Sequence, residues 1–225
     1  MVDALGLLQR LARERPLFHS EADFQHAIAW QIQLERPDAQ IRLEYRPALA
    51  GRPHLDIWAT AGNDRLAVEL KYRTRAIDVE LGGEAFSLSS HAAQDQGRYD
   101  FLKDIVRLER VASEIRSTRG IAVMLTNDSA LWKASTGAAV DAAFRLEEGR
   151  LVQGHLDWGP ATGPGTKKGR LEALSVVGPY TLAWGDYSVV PTARYGRFRF
   201  LLVDVRTETP ARAGWPAALG MRASL

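Results

Sequence analysis

The chain has 225 residues, no cysteine, 46% hydrophobic and 25% charged residues and a formal net charge of +2. That length and apolar share suit one domain with a substantial core, the missing cysteine excludes a disulfide framework and any thiolate zinc site, and no apolar run approaches the roughly 20 residues of a membrane span. The pI near 9.0 permits a nucleic-acid partner without arguing for one, because a phosphate-binding groove needs local positive charge.

The opening MVDALGLLQRLARERP carries an acid at Asp3 and a broken apolar pattern, so it reads as a short amphipathic helix and not a signal peptide, which points to a cytoplasmic protein. Ser20 is the predicted N-cap of a second helix from Glu21 to about Glu35, with Phe24, Ile28 and Ile32 on one face and Pro37 just beyond its end. QIRLEYRPAL (40–49), HLDIWATA (54–61) and RLAVELKYRT (65–74) alternate and are separated by Gly, Pro and Asn signals, the pattern of an antiparallel meander. A long helix is expected from about His91 to Ser117 on the stripe Phe101, Ile105, Leu108, Ala112 and Ile115. GIAVMLTND (120–128) is a continuous apolar run, expected as a strand buried on both faces near the sheet centre. FRLEEGRLV (144–152), TLAWGDYSVV (181–190) and RFRFLLVDV (197–205) are further strand candidates, WGPATGPGTKKGR (158–170) is a Gly/Pro-rich loop, and 207–225 reads as a loose tail. The expected organisation is one α/β domain over 1–206, with a central mixed sheet flanked by helices, a core at about 18–128 and additional C-terminal strands at about 140–206.

Two of these strands carry charges in their interiors. A two-residue turn at Gly62-Asn63 sets Ala61 opposite Asp64, so that Ile57 meets Val68 and Leu55 meets Leu70 on one face. Asp56 then meets Glu69, and His54 meets Lys71, on the other. Opposed carboxylates repel, and something positive must compensate them. Lys71 answers part of the charge; a divalent cation with oxygen ligands, such as Mg2+, answers both acids and, beside a lysine, is suited to phosphodiester hydrolysis. The alternative is a solvated sheet face with weak ion pairs. Glu21 extends the buried stripe of the second helix at its N-terminus, and Gln94 and Arg98 do the same for the long helix, so these ends are placed to converge on Asp56 and Glu69. Equally, Glu21 serves a helix N-terminus, where acids are favourable, and Gln94 and Arg98 suit a solvated helix end.

Glu21 on SEADFQHAIAW, Asp56 on HLDIW and Glu69-Leu70-Lys71 on VELKY resemble, in order and element type, the PD-(D/E)XK nuclease superfamily with its restriction-endonuclease-like αβββαβ core. The resemblance covers about residues 18–128. It implies divalent-metal-dependent endonucleolytic cleavage of nucleic acid, expected to be DNA, in restriction, repair or defence. It also implies Asp56 and Glu69 as ligands of Mg2+ or Mn2+ with Glu21 assisting, Lys71 acting near the attacking water, and a homodimer where two strands are cut. The sequence departs from the family in that Pro53 stands three residues before the aspartate rather than next to it. The Q-x-x-x-Y pattern of one exonuclease-like branch is matched only at other spacings, Gln94 or Gln96 to Tyr99.

Other signals are weaker. TGPGTKKGR lacks the phosphate-loop spacing, although Lys167, Lys168 and Arg170 are able to touch a nucleic-acid backbone, or simply to be solvated. Trp184 and Tyr187 fall among strand residues as core aromatics. The histidines at 19, 26, 54, 91 and 155 show no short zinc pattern, and no G-x-S-x-G elbow occurs. A non-catalytic module of the same fold, binding nucleic acid or a partner protein, is the alternative function, and a docking subunit of a larger complex is a third.

Overall fold

The computed structural model describes residues 2–206 apart from Thr136 and Thr192; the stretch read as a tail, 207–225, lies outside them. Helix α1 (Ala4–Glu14) buries Ala4, Leu7, Leu8 and Leu11. Helix α2 (Glu21–Glu35) begins where the Ser20 hydroxyl accepts the Asp23 N–H at 3.2 Å, which satisfies one of the first-turn donors that have no helical partner. It buries Phe24, Ile28 and Ile32, and with them the polar Gln25 and Gln31.

The meander is β1 (Gln40–Tyr45), β2 (Leu55–Ala61) and β3 (Asp64–Arg73). β2 and β3 turn at Gly62-Asn63, with Gly62 at φ +58°, a left-handed value that costs glycine nothing sterically. The register runs from Ala61 opposite Asp64 to Ile57 opposite Val68, as a two-residue turn dictates. There the ladder stops, so the expected Leu55–Leu70, Asp56–Glu69 and His54–Lys71 pairs do not form. On the other side of β2, Leu43 pairs with Ile57 and Tyr45 with Leu55, but Glu44 and Asp56 between them do not pair. Glu44 takes φ +52°, and the Asp56 carbonyl instead accepts Gln25 Nε2 at 2.7 Å. This interruption corrects one expectation. Leu55 packs in the core beneath the long helix, whereas Ile57, Val68 and Leu70 pack on the opposite face, because strict alternation holds only through an unbroken ladder.

A hairpin absent from the sequence expectations follows, β4 (Ile77–Leu81) and β5 (Glu84–Leu88), turning on Gly82 and Gly83. Helix α3 (Gln94–Glu114) is shorter than the expected 91–117. At its start His91 is held outside the helix by accepting the Thr74 N–H at 3.0 Å on Nδ1, and at its end Ser117 takes φ +57°. Strand β6 (Thr118–Thr126) runs parallel to β3, and after it come β7 (Leu151–Leu156), a single turn α4 (Pro164–Lys167), β8 (Leu174–Thr181), β9 (Trp184–Val189) and β10 (Arg197–Arg206).

The main sheet is mixed, in the order β1-β2-β3-β6-β10-β9, with β7 and β8 paired separately. β6 lies inside it and is buried on both faces apart from half-buried Arg119. The expected strand at 144–152 forms only at its end, in β7, because Arg150 donates to the Ala142, Ala143 and Arg145 carbonyls and holds that segment as a loop. Helices α1 and α2 cover Ile57, Val68, Leu70, Ile121 and Val123, and α3 with the β7–β8 pair covers Trp58, Ala67, Ala122, Met124 and Leu201. No helix among the described residues is long and apolar enough to cross a membrane.

Candidate active site

Where β2 ends early, two N–H groups of β3 are left open on its β2 side. Side-chain carboxylates take both. Asp56 Oδ2 accepts from Leu70 N at 2.6 Å, and Glu21 Oε2, at the first residue of α2, accepts from Tyr72 N at 2.7 Å. Leu70 and Tyr72 face α2, so the alternating residues Glu69 and Lys71 face α3. There Glu69 Oε1 meets Arg107 at 2.6 Å, and Lys71 Nζ lies 2.6 Å from Asp104 Oδ2 and 3.0 Å from the Leu70 carbonyl. Arg107 also reaches Asp104 Oδ1 at 3.0 Å.

Four elements thus bring Glu21, Asp56, Glu69 and Lys71 to one end of the sheet, together with Asp104 and Arg107, which the sequence reading did not single out. Their signal was present: Asp104 lies three residues after Phe101 and four before Leu108, inside the apolar stripe, and Arg107 follows it by three. Only the packing of α3 on β3 tells which of the stripe's polar neighbours faces the acids.

Carboxyl groups outnumber cations here, four to two. Burial, more than anything else, raises the pKa of Glu69, which is 2% exposed; the Asp104 charge raises it further, against the pull of Arg107. Asp104 is raised for the same first reason, with Lys71 and Arg107 opposing. The Glu21 residue is exposed overall while its carboxylate is turned inward, and loss of hydration raises its pKa despite the Tyr72 N–H and Lys71. Burial alone would lower Lys71, but Asp104, Glu21 and Asp56 outweigh it and raise the ammonium well above its usual range.

Each of the three acids on α2, β2 and β3 uses one oxygen to hold its place. Glu21 Oε1, Asp56 Oδ1 and Glu69 Oε2 have no hydrogen-bond partner among the described residues. Hard oxygen donors of this kind fit Mg2+ or Mn2+. The three do not close into a ligand set as they stand. Among the described residues, the acidic or histidine group whose ligand atoms all lie within 4.8 Å of one another is Glu44, His54 and Asp56.

The remaining sequence candidates lie elsewhere. Gln94 donates to Asp128 Oδ2 at 3.0 Å, and Arg98 binds Asp141 and the Ala130 carbonyl. Tyr99 is fully buried, stacked on Trp158, with its hydroxyl donating to the Glu172 carbonyl at 2.8 Å. Lys167 and Lys168, half-buried and exposed, stand at the end of α4, which is tied to the start of α3 by Gln96 and by the paired contacts of Arg170 with Asp100. Trp184 and Tyr187 are buried, donating to the Leu146 and Arg15 carbonyls. Comparisons with family models, with curated proteins and with solved structures return no match.

Proposed function

We propose that this chain is a divalent-metal-dependent nuclease with a restriction-endonuclease-like core, hydrolysing phosphodiester bonds of DNA. One observation carries the reading: Glu21, Asp56 and Glu69 are each fixed through one oxygen and keep the other without a hydrogen-bond partner among the described residues, at a place where acids outnumber cations. The order α2, β1, β2, β3, α3, β6, interrupted by the β4–β5 hairpin before α3, with the acids and the lysine on α2, β2 and β3, supports the same reading.

Asp56 and Glu69 would hold the cation, with Glu21 beside them, once Glu69 turns from Arg107. A cation bound there would polarise a phosphoryl oxygen and lower the pKa of its water. The protein's own part is orientation and charge. Lys71, kept protonated by the acids around it, would orient the attacking water and stabilise charge on the phosphate oxygens. Arg107 balances the carboxylate that the cation does not use. Without a cation the acids repel a phosphate backbone, so metal serves binding as well as chemistry.

A second reading, a non-catalytic module of the same fold, is favoured by the pairing of Lys71 with Asp104 and of Glu69 with Arg107, which leaves neither group idle. Supercoiled plasmid and single-stranded DNA, incubated with wild type and Lys71→Ala in Mg2+, Mn2+ or chelator, separate the two. Metal-dependent cutting lost in the variant supports the nuclease; cutting that Lys71→Ala retains removes the lysine's role, and no cutting in any metal favours the module.

A further inference from the structure

At the outer edge of the sheet, on the far side of Asp56 from Glu69, stands a group that the nuclease reading does not use. His54 Nε2 lies 2.7 Å from Glu44 Oε2, and the ligand atoms of Glu44, His54 and Asp56 are all within 4.8 Å of one another. The backbone is shaped around this group. The β1–β2 ladder skips only the Glu44–Asp56 pair, and Glu44 holds the left-handed φ of +52°, a conformation that persists for a non-glycine residue only when its surroundings fix it.

Gln25 supplies that fixation from α2. Its amide, 8% exposed, donates at 2.7 Å both to the Asp56 carbonyl, replacing the missing strand partner, and to Glu44 Oε1. The Glu44 carboxylate, though exposed, is therefore oriented by a hydrogen bond from a buried glutamine, as outer-shell partners orient metal ligands. The segment leading to His54 is anchored as well, because Arg110 on α3 donates to the Ala50 carbonyl at 2.6 Å.

From this geometry we infer a second cation site, formed by His54 Nε2 and the Glu44 and Asp56 carboxylates, that takes a borderline transition-metal dication such as Zn2+ in preference to Mg2+. An imidazole nitrogen with two carboxylate oxygens is a donor set that zinc accepts readily, leaving a fourth position for water, whereas Mg2+ favours oxygen ligands alone. Bonds of about 2.1 Å require the three ligand atoms to draw together, which exposed Glu44 and half-buried His54 and Asp56 do by rotating about their side-chain bonds. His54 enters the site as neutral imidazole and exchanges its contact with Glu44 for the metal. Asp56 is the residue the two sites share.

The site does not require that the protein cleave DNA, and the test keeps the two questions apart. The full chain is titrated with Zn2+ by calorimetry in excess Mg2+, alongside His54→Ala, Glu44→Gln and, as a control, His26→Ala, while the histidine ring 15N resonances are followed by NMR. One Zn2+ is expected to bind wild type and His26→Ala with a shift of the His54 ring signals. Loss of a direct ligand in His54→Ala should weaken binding by more than the roughly 10- to 100-fold that losing an outer-shell partner costs. Glu44→Gln, which keeps the Gln25 contact, serves as the second variant should His54→Ala fail to fold. Absence of Zn2+ binding in wild type, or binding that neither variant weakens, overturns the inference. His54-dependent Zn2+ binding by a protein that cuts no DNA leaves it standing and removes the nuclease reading instead.

Discussion

Helix α3 carries two buried carboxylates five residues apart, and they live in opposite surroundings. Glu109 is answered entirely by neutral donors: Val177 N at 3.0 Å, Gly178 N at 2.9 Å and the Tyr180 hydroxyl at 2.9 Å. It ties α3 to β8, and burial together with its charge raises the Tyr180 pKa far above the usual phenol range. Asp104 faces two cations and three further acids, and burial raises its own pKa. A carboxylate whose oxygens are filled by fixed dipoles is part of the scaffold. One placed among further acids and two cations is where the proposed function has a metal ion bind.

Breaking each side of this contrast should produce different losses. The largest effect is expected at the acidic end: Lys71→Ala should lower kcat for DNA cleavage by about 10²- to 10³-fold, the usual cost of removing one group that stabilises transition-state charge, with little change in DNA affinity measured in Ca2+. Glu109→Ala should instead cost about 3 kcal/mol in urea unfolding, because it orphans two backbone N–H groups and a hydroxyl, and should leave turnover of the folded protein unchanged. Equal loss of activity in both variants would erase the distinction.

Glu69 sharpens it further through pH. Its pKa is raised in the folded protein by burial and by Asp104, so the folded state holds a proton that the unfolded state has released. The stability it contributes is therefore fully present below the ordinary glutamate pKa and is lost as pH rises through the elevated folded value. Metal-free wild type should unfold at lower temperature as pH is raised across neutrality. Glu69→Gln should flatten that slope and be no less stable at pH 8; steep destabilisation of this variant would contradict the placement. The smallest effects belong to Lys167→Ala and Lys168→Ala, each expected to weaken DNA binding evenly across sequences and to reduce the salt slope by about 1.

What could be read before folding was whatever local rules determine. Gly62-Asn63 fixed the β2–β3 register by itself, and with it the side of the strand on which Glu69 and Lys71 stand. Ser20 fixed the start of α2 and hence the position of Glu21. The β4–β5 hairpin was legible in its Gly82-Gly83 turn between alternating runs, yet the stretch between the expected strand and the expected helix was assigned no element. Asp104, Arg107, Glu44 and His54 were out of reach for a different reason. Their roles depend on how α3 packs on β3, and on a ladder interrupted by a glutamine from another element, and neither follows from spacing along the chain. Tyr99 shows the converse, since the motif that drew attention to it sits on a helix face that the β7–β8 pair covers.

The central claim is that the open oxygens at the end of β3 receive a divalent cation, and calorimetric titration of Mg2+ into wild type and Glu69→Gln tests it most directly, because Glu69 lies outside the Glu44–His54–Asp56 group. Binding in wild type that weakens by more than about tenfold in the variant is the predicted result. Mg2+ that fails to bind wild type, or that binds both proteins alike, would contradict the account.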